Sequence, residues 1–296
     1  MLWWTVSDSR NFHAALPPAL EQTKTLLRPV RNWVLHGGYS PPVSRLLGEY
    51  APQPDADGYS VNLSFDLELS LNSPFWRGET TKALVLGTAA RRNYPAVLAL
   101  LIDNATEFNV QVVGGLLDRN LAAEDFFSRE QRELIAQHPD LFSLPAETID
   151  MLASDSVAAG IHGYSHRLFD TLTEPDADAE IGRTIALLKQ TTGRDARFIS
   201  FPKNQCAHTH LLAPHGLTRW RGATSRSSVS GEIPIGLWFA KPMVSAGDLN
   251  RLLRKLRSET NGFCLHLWNH FHERTADDFR RYIDVLLAND FRFRSL

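Results

Sequence analysis

The sequence predicts an α/β fold in which six or seven βα units curl into a barrel, complete or open on one side. Three observations carry this reading. From about residue 59 onward, short apolar runs alternate with longer helical patterns, the signature of βα units and a largely parallel sheet. The 296 residues, 43% of them apolar, suffice for one such barrel with a large core, or for two modest domains. The unusual polar residues cluster where strands run into loops, which is where parallel α/β folds gather their reactive groups.

Residues 1–55 stand apart from the pattern. Prolines at 17, 18, 29, 41, 42, 52 and 54 break up one or two short helical segments, with Trp3, Trp4 and Trp33 as apolar anchors. This segment reads as an extension packed on a body formed by residues 56–296. Lys24, Arg28, Arg31 and His36 in it make either an ordinary solvated helix face or a basic face for peripheral contact with a membrane or an anionic glycan.

In the body, "YSVNLSFDLEL" (59–69) reads as the first strand, "YPAVLALLIDNATEF" (94–108) as a helix and "VQVVGGLL" (110–117) as the next strand. "SVAAGIHGY" (156–164) is a strand entering a loop, residues 176–193 a helix ending at a glycine, and "ARFISFP" (196–202) a strand stopped by proline. "GLTRWRGAT" (216–224), a helix over 246–260, the strand "GFCLHLW" (262–268) and a closing helix over 275–289 complete the alternation.

A formal net charge of −2 gives no basic excess of the kind nucleic-acid-binding domains carry. Cys206 and Cys264 lie far apart, outside any C-x-x-C spacing, so neither a disulfide framework nor a cysteine zinc site is indicated. The opening residues lack a basic region followed by a long apolar run, and no stretch of about 18 apolar residues follows, so neither a signal peptide nor a transmembrane segment is expected. Together these features predict a cytoplasmic protein.

Asp66 and Glu68 are two apart in the first strand and therefore share a face. A carboxylate inside a strand is costly unless paired, hydrogen-bonded or bound to a cation, so the two lie either on an exposed face or at a charged site. His162 and His166, four apart in "GIHGYSH", are able to aim both rings at one point. Lys203 and Asn204 follow the "FISFP" strand, Arg219 and Arg221 lie on the next, and His266 and His270 belong to the last. Two neutral histidines and a carboxylate make a common catalytic zinc triad, leaving a position for water and the second carboxylate as a base. A histidine opposite would protonate a departing group, which is the chemistry of amide or ester hydrolysis.

At these residues the sequence resembles the polysaccharide deacetylase (NodB-homology) family of carbohydrate esterases. "SFDLE" stands where the family has its aspartate motif, and "HGYSH" where it has its H-(S/T)-x-x-H metal motif. "FPKNQ", "GLTRWRG" and "HLWNHFHE" then resemble a subgroup met in surface-polysaccharide biosynthesis. The likeness spans about residues 60–290 and leaves the N-terminal segment unexplained.

The resemblance implies a deformed (β/α)-barrel of about seven strands. It implies Asp66 as general base and His162 and His166 as ligands of a divalent metal, zinc in the first place. Where relatives with adjacent aspartates have their second, this chain has Leu67, and Glu68 resembles the third ligand of relatives with an Asp-x-Asp arrangement. His270, in "HFHE", aligns with the family's acid, with His266 as rival. Lys203, Asn204, Arg221 and Trp268 would shape the sugar pocket, with a backbone N–H near Lys203 holding an oxyanion. Trp268, Trp220 and Tyr164 are candidates for a stacking wall.

The implied activity is removal of an N-acetyl or related acyl group from an amino sugar of a bacterial surface polysaccharide or of its lipid- or nucleotide-linked precursor. Two alternatives stay open: a metal-independent amidohydrolase on a small amide using Asp66 and His270, and a non-catalytic glycan-binding barrel.

Overall fold

A computed structural model describes residues 53–104, 106–222, 230–233, 237–238 and 245–295. The expected extension over residues 1–55, with its tryptophans and basic face, lies outside the described residues apart from 53–55. Among the described residues no helix is long and apolar enough to cross a membrane.

Ten described strands form one sheet: β1 (Gln53–Pro54), β2 (Tyr59–Leu67), β3 (Phe108–Val112), β4 (Val157–Ile161), β5 (Ile199–Ser200), β6 (Trp220–Arg221), β7 (Glu232–Ile233), β8 (Leu237–Trp238), β9 (Phe263–His270) and β10 (Arg292–Phe293). Their order is β1-β9-β2-β3-β4-β5-β6-β7, with β8 also on β9 and β10 also on β2. All pairings are parallel except β1 with β9. No ladder joins β7 to β8 among the described residues.

Strand β2 explains the barrel's two faces. Its odd residues Val61, Leu63, Phe65 and Leu67 are buried in the apolar layer under the helices, where Phe65 stacks on Phe271 and meets Phe279 edge-on. Its even residues are equally buried but polar: the Asn62 Nδ2–H donates to the Arg294 carbonyl at 2.9 Å, and the Ser64 hydroxyl to Gln111 Oε1 at 2.8 Å. A polar interior is stable only because such groups find one another. Parallel register carries the same face around the sheet, aligning Asp66 with Gln111 on β3 and His270 on β9, and Ser200 on β5 with Arg221 on β6.

Helices α1 (Ser73–Trp76), α2 (Thr80–Asp103), α3 (Arg129–Gln137), α4 (Ala146–Leu152), α5 (Glu174–Thr192), α6 (Ala246–Glu259) and α7 (Ala276–Leu287) follow or link the strands. Reciprocal caps, Ser245 with Asp248 and Thr275 with Asp278, start α6 and α7. Left-handed Gly193 ends α5. Two of the departures from the sequence reading lie in the elements that follow β2. Helix α2 begins at Thr80 instead of residue 94 and carries Pro95 in its interior, where the ring costs one backbone hydrogen bond. The third segment stops as a strand at Val112 and turns into a 3₁₀ helix over Gly114–Leu117, whose Gly114 and Gly115 N–H groups donate to the Gly163 and Tyr164 carbonyls.

Candidate metal centre and active-site pocket

Parallel strands deliver their carboxyl ends to one rim, and there a cavity of about 320 Å³ opens between β2, β4, β6 and β9. Asp66, Glu68, His162 and His270 line it together with Lys203, Asn204, Arg221 and Trp268. His166 lies against Glu68 and faces an adjoining cavity that shares Ser73 and Lys203 with the first. His266 is buried at the level of Asn62, four residues down the strand from His270, and is not part of the lining. Arg219 is exposed.

The "HGYSH" loop converges because Gly163 and His166 both take left-handed backbone, with φ of 73° and 65°. Glycine does this freely, whereas the histidine is held there by its surroundings. Glu68 Oε1 is then 3.3 Å from His162 Nε2 and 3.1 Å from His166 Nε2, all three side chains being buried. Bonds of about 2.0–2.1 Å at tetrahedral angles would separate donor atoms by roughly 3.3 Å, so these spacings fit one metal ion.

The hydrogen bonds around the triad agree. His162 Nδ1–H donates to the Ser200 carbonyl at 2.6 Å, which leaves the Nε2 lone pair aimed at Glu68. A lone pair and a carboxylate at that distance repel unless a proton or a cation lies between them. His166 is equally informative, since neither ring nitrogen of this buried side chain has a hydrogen-bond partner. The donor set therefore suits a borderline divalent ion such as zinc.

Asp66 is separate in role. Arg221 donates to Asp66 Oδ2 in a fully buried ion pair, and the Ser200 hydroxyl donates to Oδ1 at 3.0 Å. Burial works against the charged carboxylate, but Arg221, with His162 and His270 behind it, outweighs burial and keeps its pKa below the usual range. Glu68 is likewise held well below the usual range, burial being outweighed by His166 and His270. His270 Nε2 lies 3.3 Å from Glu68 Oε1 and 3.9 Å from Asp66 Oδ2, while its Nδ1 is 3.2 Å from Glu273 Oε1. Burial would lower its pKa, but the Glu68 and Glu273 carboxylates raise it well above the ordinary histidine value. A carboxylate whose pKa is lowered and an imidazole whose pKa is raised thus face one cavity, set apart by their neighbours.

The pocket's walls differ in part from the expectation. Trp268 lines the cavity with the Arg221 guanidinium 4.5 Å from its ring centre. Tyr164 instead donates its hydroxyl to Asp118 and Glu124 outside the lining, and Trp220 packs partly buried against the core. Lys203 and Asn204 follow Pro202 in consecutive left-handed conformations, φ 54° and 55°, which turns that loop toward the cavity. The Asn204 and Gln205 N–H groups donate to the Phe201 and Pro202 carbonyls, so they are not donors for an oxyanion. Arg221, read from the sequence as a sugar contact, lines the cavity, where it pairs with Asp66 and donates from Nε to Asn204 Oδ1 at 2.9 Å, while its buried Nη1 has no hydrogen-bond partner.

Three residues of the site went unassigned in the sequence reading. Ser200 bridges Asp66 and His162, Glu273 holds His270, and His272 lines the cavity. A lone serine in the apolar run "FISFP" was the available signal for Ser200.

Fold and site together define an α/β barrel with a two-histidine, one-carboxylate cluster at its carboxyl rim that could hold a metal ion. The model of the polysaccharide deacetylase family matches residues 79–218, a span that contains His162, His166 and Lys203 but not Asp66, Arg221 or His270. A polysaccharide deacetylase candidate from Mycobacterium smegmatis shares the fold, with a TM-score of 0.56, 16% identity, and coverage of 83% of this chain and 91% of that one. An acetyl xylan esterase of family 4 from Clostridium thermocellum, solved with a cobalt ion, aligns at a TM-score of 0.46 and 15% identity over 79% of this chain and 87% of that one. A family 4 pseudoenzyme from Bacillus anthracis aligns at 0.47 and 12% over 83% and 68%. No curated protein matches by sequence.

Proposed function

We propose that the protein is a metal-dependent carbohydrate deacetylase that removes an N-acetyl or related acyl group from an amino sugar of a bacterial surface polysaccharide or its precursor. The observation that carries this reading is the Glu68–His162–His166 triad, with donor atoms 3.1 and 3.3 Å apart, flanked by ionised Asp66 and raised-pKa His270. The family match over residues 79–218 supports the acyl-transfer class. On this reading the substrate is met in the cytoplasm as a lipid- or nucleotide-linked intermediate.

A zinc ion held by the triad would supply Lewis acidity and a water of near-neutral pKa. Asp66, its pKa lowered by Arg221, would take a proton at Oδ2 or Oδ1 from a water in the cavity as that water adds to the acyl carbon. His270, charged through Glu273, gives the proton at Nε2 to the leaving amine. Trp268 forms an apolar wall for the sugar ring, and Lys203 and Asn204 meet its polar edge. Of the two histidines on β9, His270 is the acid because His266 is outside the lining.

The direct test is acetate release from N-acetylated oligosaccharides, with and without prior chelation. Activity that survives chelation would favour the metal-independent amidohydrolase, and glycan binding without acetate release the non-catalytic barrel.

Two pH profiles check the proton roles. Arg221→Gln removes the charge that lowers the Asp66 pKa, so the acidic limb of kcat/KM moves to higher pH. Glu273→Gln removes one of the two carboxylates that raise His270, so its protonated form is lost earlier and the alkaline limb moves to lower pH. Limbs that stay in place in these variants would assign the titrations to other groups.

A further inference from the structure

We infer that a second divalent-ion site lies beside the triad, formed by His270, His272 and Glu273 at the end of β9, and that its occupancy inhibits the enzyme. One donor atom from each of the three lies within 4.8 Å of the others. Glu273 Oε1 is 3.2 Å from His270 Nδ1 and 4.0 Å from His272 Nε2. The first spacing already matches tetrahedral ligation, and the second closes to it by a shift of about 0.7 Å.

The arrangement is built, not incidental to a mobile side chain. The Glu273 N–H donates to the His270 carbonyl at 3.1 Å, and Glu273 Oε2 accepts from the His270 N–H at 3.0 Å. That turn fixes the carboxylate under the ring. The His270 and His272 rings lie nearly parallel, 5.1 Å between centres and 26° between planes. All three residues line the cavity, so an ion reaches them from the same opening as substrate. Two imidazoles and a carboxylate select zinc, cobalt, nickel or copper over magnesium or calcium.

The inhibitory effect rests on the deacetylase reading; the ion count does not. An ion held between His270, His272 and Glu273 engages the ring of the proposed acid and stands in the cavity that substrate enters, so His270 is no longer available to the leaving amine. One equivalent of zinc therefore activates and excess zinc inhibits, by about 10²-fold at saturation, the scale of losing a general acid.

Chelator-stripped full-length protein titrated with zinc chloride, followed by calorimetry and by metal analysis after gel filtration, tests the site. Two ions per chain are expected for wild type, the second bound more weakly, and one for His272→Ala and for His272→Gln. Excess zinc inhibits wild type and spares the His272 variants. A wild-type limit of one ion that His272→Ala leaves intact, or two ions retained in both His272 variants, overturns the proposal. His166→Ala separates the two readings: it should lose the tighter ion and keep the weaker, whereas a single ion kept in His166→Ala and lost in His272→Ala would leave the second site standing and remove the triad.

Discussion

Substituting His162 with alanine is expected to abolish stoichiometric binding of the tighter divalent ion while leaving the barrel folded. The ring provides one of the triad's three donors, and its Nε2 is pre-aimed by the Nδ1–H bond to the Ser200 carbonyl. Removing one of three donors should weaken binding by more than the 10–100-fold that follows loss of an outer hydrogen-bonding partner. The fold should survive because the apolar core lies on the other face of β2 and under the helices, away from the triad. His166→Ala should behave alike, and Glu68→Gln less completely, since the amide oxygen remains a weak donor. Metal analysis alongside circular dichroism reads both quantities. Wild-type protein that holds no divalent ion at this site, and takes none up when offered, would remove the triad reading.

Asp66→Asn should keep the tighter ion and lose turnover by about 10² or more, the scale of losing a general base. Asp66 Oδ2 is 4.0 Å from His162 Nε2, farther than the triad's own separations, so the ion does not depend on it. The amide keeps the shape: its oxygen accepts from Arg221, and the Ser200 hydroxyl turns to accept from its nitrogen. Only proton affinity is lost. A variant with full activity would make Asp66 structural and pass the role of base to Glu68.

Much of this geometry was legible in the sequence because it depends on short-range spacing. Period 2 puts Asp66, in β2, and Glu68, one residue past its end, on one side, and the glycine within "HGYSH" permits the turn that converges two histidines. The strand–helix alternation likewise gave the parallel sheet. What the sequence hid depends on distance or on loop detail. Arg221 meets Asp66 across 155 residues of chain, so no local pattern distinguishes an ion-pair partner from a sugar contact. Glu273 acts through a turn of three residues whose shape is set by β9 and α7 around it. Helix α3 buries only Ile135, which leaves too thin an apolar stripe for periodicity to reveal.

The pairing of β2 with β9 sets a constraint on biogenesis. The proposed base and acid sit side by side in register, Asp66 opposite His270, although one is near the start of the described chain and the other near its end. A nascent chain emerging from the ribosome therefore exposes an unpaired edge along the nine residues of β2 until residues 263–270 have been made. That edge is apolar on one face and presents free backbone groups, so products truncated before β9 should be inactive and prone to aggregate by strand addition. The rim that carries the proposed site is assembled last, and competence of the site reports that β9 has paired with β2.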